Sequence, residues 1–350
     1  MMIKRFCRLV AVLFLLSLSI GSLAAEERLT AAPEGSFSVV LIPDTQAYHG
    51  ADTKAQPDST DRVTNRIFDA HVRWIAGNID RQNIAFVSHV GDIVDKNVPS
   101  QWEVARACMD VLHGKVPYGI SVGNHDMTSK GDSSLFQEYF PRARFEGLDW
   151  YGGSYGGSPR DPQVSGNNAN SFQLFSAGGM DFLFLHLECN APDDVLQWAN
   201  GVLDEHPQRR AMITTHMGWG PAEKPKSNEE FLSAPKGRMR WLKIHGKRGN
   251  TPQQMWEKCY CKHENLFAVF SGDQSRTQAI RAATPGDRGN VVHELLQDYS
   301  TGWLRLYRFL PADDCIRVFT FDPNTEELCE GTDRVPNKGE HQFAIAYDMD

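Results

Sequence analysis

The sequence has no convincing Ser-His-Asp arrangement, and its G-x-S-x-G match, Gly152 to Gly156, lies in a Gly/Ser-rich loop, which argues against a hydrolase built on a serine nucleophile. It has no internal repeat and no low-complexity tract. Its closely spaced cysteine pair, Cys259-x-Cys261, lacks a second pair to complete a zinc site. It also lacks positive charge: the formal net charge is −8. Phosphate backbones are gripped by clustered Lys and Arg, so general nucleic-acid binding is not expected. The apolar run Leu9 to Ile20 is too short to span a bilayer comfortably.

That run lies in a leader. Lys4, Arg5 and Arg8 precede it, and Ser22-Leu23-Ala24-Ala25 supplies small residues for cleavage with no lipidation Cys. Residues 1–25 read as a removed secretory signal, the alternative being an uncleaved anchor. The expected address is periplasmic or extracellular, with no membrane span after cleavage. Losing the three basic residues takes the net charge from −8 to −11. Cys108, Cys189, Cys259, Cys261, Cys315 and Cys329 remain, and an oxidising compartment permits disulfides among them. Cys315 with Cys329, flanking an expected hairpin, is the favoured pair.

With 41% hydrophobic and 23% charged residues in 350, the composition is ordinary for a globular chain. One domain is expected over 33–350. Phe37-Ser38-Val39-Val40-Leu41-Ile42 and Ile84-Ala85-Phe86-Val87 read as buried strands, with amphipathic helices over Arg62 to Ile79 and Trp102 to Leu112 between and after them. Tyr118 to Val122 is a third strand, and the alternation argues for a mostly parallel sheet with crossover helices. A hairpin is expected over Ser171 to Glu188, a helix over Asp193 to Asp204, and strands at 211–214 and 266–270. The C-terminal region 291–347 reads as β-strands. Two insertions interrupt this plan. Residues 147–170 form a Gly/Ser/Asn-rich loop carrying Trp150, Tyr151 and Tyr155. Residues 220–252 hold the basic block Lys236, Arg238, Arg240, Lys243, Lys247 and Arg248, read as a solvated face or an anion-guiding lid.

Five apolar runs end alike: Asp44-Thr45-Gln46, Gly91-Asp92, Gly123-Asn124-His125-Asp126, Thr215-His216 and Gly272-Asp273. Each residue alone is a common cap or turn former. In open α/β sheets, however, ligands bind at the C-terminal edge of the strands. Parallel strands would gather these carboxylate, amide and imidazole groups there, where cations would offset the crowded negative charge.

This series resembles the calcineurin-like metallophosphoesterase superfamily, whose motifs run D-x-H, G-D, G-N-H-[DE], H and G-H-x-H. The resemblance covers essentially the whole chain from Phe37, and it implies a four-layer α/β/β/α sandwich with two divalent metal ions at the strand ends. By the same resemblance Asp92 would bridge the metals, Asp44 would bind the first, and Asn124 and His216 the second. His125 would protonate the leaving group, oriented by Asp126, while a metal-bridging hydroxide attacks a phosphorylated substrate. Two departures matter. Gln46 stands where the pattern has His, and Asp273 and Ser275 stand where it has two more. Gln46 and Asp273 can ligate through oxygen, so Mn, Fe or Mg is favoured over Zn, and the first site could be weak or empty. His89, His186 or His293 could compensate, though each reads better as a structural His. Glu188 could lie just behind the ligands. A phosphate-ester hydrolase is therefore the leading expectation. The alternatives are a non-catalytic protein binding a metal or a phosphorylated ligand, or a glycan-binding protein using the 150–155 aromatics.

Overall fold

In the computed structural model, which describes residues 27–128, 130–161, 164–220 and 244–349, the run Phe37–Ile42 forms strand β1. All six of its residues are buried. Phe37, Val39 and Leu41 face a core shared with a second sheet, whereas Val40 and Ile42 join a core beneath helices. A strand covered on both faces needs apolar side chains at nearly every position, hence the unbroken run.

Helices α1 (Arg66–Gly77) and α2 (Pro99–Asp110) connect β1 to β2 (Ile84–His89) and β2 to β3 (Tyr118–Ile120), all three strands being parallel. α1 begins later than the apolar spacing suggests. The Asn65 side chain accepts from the Phe68 amide at 3.0 Å and starts the helix there. Val63 is left outside, and the buried stripe becomes Phe68, His71, Val72 and Ile75 with Trp74 alongside.

After α3 (Ser134–Tyr139) the chain builds the second sheet. It comprises β4 (Tyr151–Ser154), β5 (Ser171–Ala177), β6 (Met180–Leu187), β7 (Arg210–Thr215), β8 (Leu266–Ser271), β9 (Ala279–Pro285) and β10 (Val291–Gln297). Their order is β4-β5-β6-β7-β8-β10-β9, with β6, β7, β8 and β10 parallel and the flanking pairs antiparallel. Helices α4 (Asp193–Glu205) and α5 (Pro252–Lys258) cover its outer face through Val195, Leu196, Met255 and Trp256. Strands β11 (Leu304–Leu310), β12 (Cys315–Phe321) and β13 (Gln342–Ala346) then return to the first sheet, whose order is β13-β12-β11-β1-β2-β3. β11 pairs antiparallel with β1, aligning Phe37 with Phe309, whose rings stack at 4.6 Å. Each buried aromatic contributes about 1.5–3 kcal/mol, and this core clamps the two sheets face to face.

The layers run helix, sheet, sheet, helix, as the resemblance implies. The mostly parallel sheet expected from the alternation is corrected to two mixed sheets, because β11, β12 and β13 extend the first by antiparallel pairing from β1, and β4-β5-β6 and β9-β10 pair antiparallel in the second. The 147–170 segment is also less loose than its composition suggests. β4 lies within it, Tyr151 stacks on Phe145 at 5.6 Å, and the Tyr155 hydroxyl donates to Asp194 at 3.0 Å. Rings committed to packing in this way speak against the glycan-binding reading.

The six described cysteines are free thiols, which corrects the Cys315–Cys329 pairing. The Cys329 amide donates to the Thr320 carbonyl, five residues along β12 from Cys315, about 16 Å of strand. The leader and Lys236, Arg238, Arg240 and Lys243 lie outside the described residues. Arg248 is described and approaches Asp194 at 3.5 Å. Among the described residues no helix is long and apolar enough to cross a membrane.

Candidate metal centre

The parallel strands end at one edge, and each end delivers a polar group there. β1 leads to Asp44 and Gln46, β2 to Asp92, β3 to Asn124 and His125, β7 to His216, and β8 to Asp273. Asp44, Asp92 and His216 each offer a ligand atom within 4.8 Å of the others, and all three are buried. His216 Nε2 lies 3.2 Å from Asp92 Oδ1, 3.7 Å from Asp273 Oδ1 and 4.0 Å from Asp44 Oδ2.

Close backbone contacts fix this geometry. A Cβ on Gly123 would stand 2.2 Å from Asp92 Oδ1, and one on Gly272 would stand 2.2 Å from Asp44 Oδ1. Asp92 has φ +50° and Asp273 φ +68°, left-handed conformations that ordinary residues adopt rarely and at a cost, and that gather at functional sites.

Hydrogen bonding orients the imidazole. His216 Nδ1 lies 3.0 Å from the Val90 carbonyl oxygen, which can only accept, so Nδ1 carries the proton. Nε2 then faces carboxylates with its lone pair unless a cation or a second proton intervenes. Nε2, Asp44 Oδ1 and Asn124 Oδ1 are all buried without a hydrogen-bond partner. Orphaned acceptors of oxygen and nitrogen type, converging in a buried cluster, fit a divalent cation.

The charges tell the same story. Burial pushes the Asp44 carboxyl well above the ordinary value, and the neighbouring Asp298 charge pushes it further. Burial alone would depress the His216 pKa, yet Asp92 and Asp44 override it and hold it well above the usual value. Asp92 stays below the ordinary range because His216 outweighs its burial. Burial also raises Asp273. A buried site that holds protons this tightly is a site where a metal would displace them.

The remaining expected residues are placed as follows. Gln46 reaches the cluster, but it donates from Nε2 to Asp92 Oδ2 at 2.9 Å, so in this arrangement it braces Asp92 rather than offering oxygen. Ser275 is exposed. The His125 amide donates to Asp92 Oδ1 at 2.9 Å, and its ring Nδ1 donates to the Asp95 carbonyl at 2.7 Å. Nε2 is thus the atom left to carry a proton, on a side chain one-third exposed.

Asp126 does not orient His125, which corrects that role. Its buried carboxylate is spent on the amides of Gly123 (2.7 Å), Ile93 (2.9 Å) and Val94 (3.1 Å), tying the β2 and β3 loops together. Asp95 holds the ring instead, through a backbone carbonyl that no motif could mark. His89 is satisfied by Thr45 and the Gly91 amide, His186 bonds Ser88, and burial lowers both to about 3. His293 sits among Pro207, Glu264 and Tyr347, residues that lie before β7, before β8 and after β13. None of the three stands in for a missing ligand. Glu188 is buried behind the β7 end, held by Asn170 at 3.0 Å.

Sequence reading missed Asp298. It follows β10 directly, and its approach, Val291-Val292-His293-Glu294-Leu295-Leu296-Gln297, is broken by polar residues and lacks the unbroken apolar run that marks the others.

Comparison with known proteins agrees with this picture. A family model described as Calcineurin-like phosphoesterase matches residues 37–248. A Bacillus subtilis (strain 168) protein described as uncharacterized protein YvnB is 30% identical over 327 residues, 89% of this chain and 22% of that protein. The chain therefore spans about a fifth of that relative's length. Among solved structures, purple acid phosphatase PPD1 from yellow lupin seeds is 12% identical, with TM-score 0.47, over 91% of this chain and 55% of that one. A 5'-nucleotidase precursor from Thermus thermophilus is 12% identical, with TM-score 0.42, over 89% and 54%. Neither likeness speaks for this chain's own substrate.

Proposed function

The chain belongs to the calcineurin-like phosphoesterase family, and from that premise we propose that it is an exported, metal-dependent hydrolase of phosphate monoesters. The observation that carries the reading is the buried Asp44, Asp92 and His216 group, with His216 Nδ1 committed to the Val90 carbonyl so that Nε2 is the atom facing the carboxylates. Asp44, Asp92 and His216 would hold divalent ions, with Asn124 and Asp273 beside them. When bound, two such ions would supply Lewis-acid stabilisation of a phosphoryl group and a water acidic enough to act near neutral pH.

The protein's own part is positioning and proton delivery. Asp92 is anchored by the His125 amide and Gln46, so its carboxylate keeps one orientation. His125 stands at the rim with Nδ1 fixed by Asp95, which leaves Nε2 to protonate a departing alkoxide. Oxygen-rich ligation favours Mn, Fe or Mg over Zn.

His125→Ala is expected to slow hydrolysis of an alkyl phosphate by about 10²–10³-fold. It should slow an aryl phosphate much less, since a phenolate needs little protonation to leave. Steady-state rates on the two ester types check this, and an equal loss on both would remove His125 from proton delivery.

The altered ligands, Gln46 turned as a donor and Ser275 exposed, favour one rival: a protein that binds a phosphorylated ligand without turnover. Absence of hydrolysis under Mn, Fe and Mg, with metal bound, would select it. Export rests on the leader sequence. It is checked by intact mass of the chain recovered from outside the cytoplasm, where loss of about 25 N-terminal residues is expected.

A further inference from the structure

The last motif of this chain lacks both imidazoles, and Gln46 and Ser275 do not replace them. The first cation position is therefore short of protein ligands if the reading above holds, and this inference rests on that reading. The β10 strand supplies what the motif does not. It runs parallel to β8 with Leu295 beside Phe270 and Leu296 beside Ser271. β10 ends at Gln297 and β8 at Ser271, so Asp298 and Asp273 leave these neighbouring parallel strands at the same edge, where the cluster sits.

Asp298 is 2% exposed, and its Oδ1 is buried without a hydrogen-bond partner. Asp44 Oδ1, pressed against Gly272, is orphaned in the same way. Among the described charged groups Asp298 acts on Asp44 most strongly, and it also acts on His216. No Lys or Arg ion-pairs with it among the described residues. A buried carboxylate with an unused oxygen beside other carboxylates destabilises a metal-free fold and is relieved by a cation.

We propose that Asp298 belongs to the cation centre, supplying on the Asp44 side the negative charge that the altered last motif does not. It replaces imidazole donors with a carboxylate from a different strand and so makes the first position an oxygen site suited to hard ions. Asp298 is a positioning residue for the cation, not a group that touches substrate.

The test uses the intact chain stripped with EDTA and titrated with Mn²⁺. Wild type, Asp298→Asn and Asp298→Glu are compared by calorimetric affinity, metal content per chain and Tm with and without Mn²⁺. Asp298→Asn is expected to weaken Mn²⁺ binding by about 10–100-fold, or to lose one ion per chain. It should also shrink the Tm gain on adding Mn²⁺, while the metal-free Tm stays equal to wild type or rises because a repelling charge is gone. Asp298→Glu should recover part of the affinity. A residue needed only for packing would do the reverse, lowering the metal-free Tm and leaving affinity alone, and that result overturns the inference. Wild type binding Mn²⁺ with Asp298→Asn unchanged also overturns it, without touching the proposed function. Wild type that binds no Mn²⁺ overturns both.

Discussion

Asp92→Ala is expected to lower turnover of an aryl phosphate by about 10³-fold or more, a larger loss than for any residue beside the ligands. Three elements meet on this one carboxylate. Its Oδ1 faces His216 Nε2 at 3.2 Å and accepts the His125 amide at 2.9 Å, while Oδ2 accepts Gln46. Truncation removes the shared anchor and leaves the His125 amide and the Gln46 side chain without an acceptor, at about 1–3 kcal/mol each. Asp92→Asn separates the two effects, since an amide oxygen still accepts from His125 but carries no charge. Both variants should lose activity, and Asp92→Asn should stay folded. Either variant retaining kcat/KM within tenfold of wild type, with Mn²⁺ present, would remove Asp92 from the chemistry.

Removing the metal should make stability fall as pH rises from 6 to 8. Burial, and then Asp92, lift Asp126 from 3.8 to about 7, and burial lifts Asp298 to about 7. Asp44 is also raised well above its ordinary value, by burial and then by Asp298. A carboxyl whose folded pKa lies above its unfolded value stabilises the fold fully below about pH 4, and that stability is lost as pH climbs through the folded pKa. His216, raised by Asp92 and Asp44 against its burial, contributes with the same sign. Asp92, lowered by His216, contributes the opposite way, but its loss comes only on acidification below the carboxylate range.

Each group ionising against its environment costs about 1.4 kcal/mol per pH unit. Two carboxyls near 7 lose about 2.7 kcal/mol together between pH 6 and 8, which for a chain of this length predicts a metal-free Tm lower by about 4 °C at pH 8 than at pH 6. Bound cations take the place of the retained protons, so the Mn²⁺-loaded chain should hold its Tm across the same window. Thermal scans at pH 6, 7 and 8 with EDTA or Mn²⁺ decide the matter, and a metal-free Tm that climbs with pH would contradict the buried cluster.

Much of this centre was legible because strands covered on both faces write themselves as unbroken apolar runs. β1, β2, β7 and β8 each show one, and each ends in its ligand or its neighbour. What stayed hidden depended on pairing or on backbone. Asp298 fell within the region read as C-terminal strands, because nothing local says that β10 ends just before it or lies parallel to β8. β9 alternates buried and exposed residues, with Arg281 and Thr284 among them, and left no apolar run to notice. β4 was obscured by Gly152 and Gly153, yet Gly152 is required there because a Cβ would sit 2.1 Å from the Phe172 ring. Asp126 matched its motif but serves three loop amides, while His125 is held by a carbonyl that any residue at position 95 would supply.

The pairing of β1 with β11 also sets an order of assembly. Phe37 and Phe309 are partners across most of the chain's length, and Asp298 comes only shortly before. At synthesis rates of about 5–20 residues per second, the open edge of β1 waits roughly 15–50 s for its partner. Such non-local closure is slow, and an apolar strand edge is exposed to wrong pairing meanwhile. Asp44 and Asp92 emerge early, and Asp273 and Asp298 only late. The centre therefore cannot be complete until most of the chain is made, and the ion it first takes is whichever one the surroundings offer at that late moment.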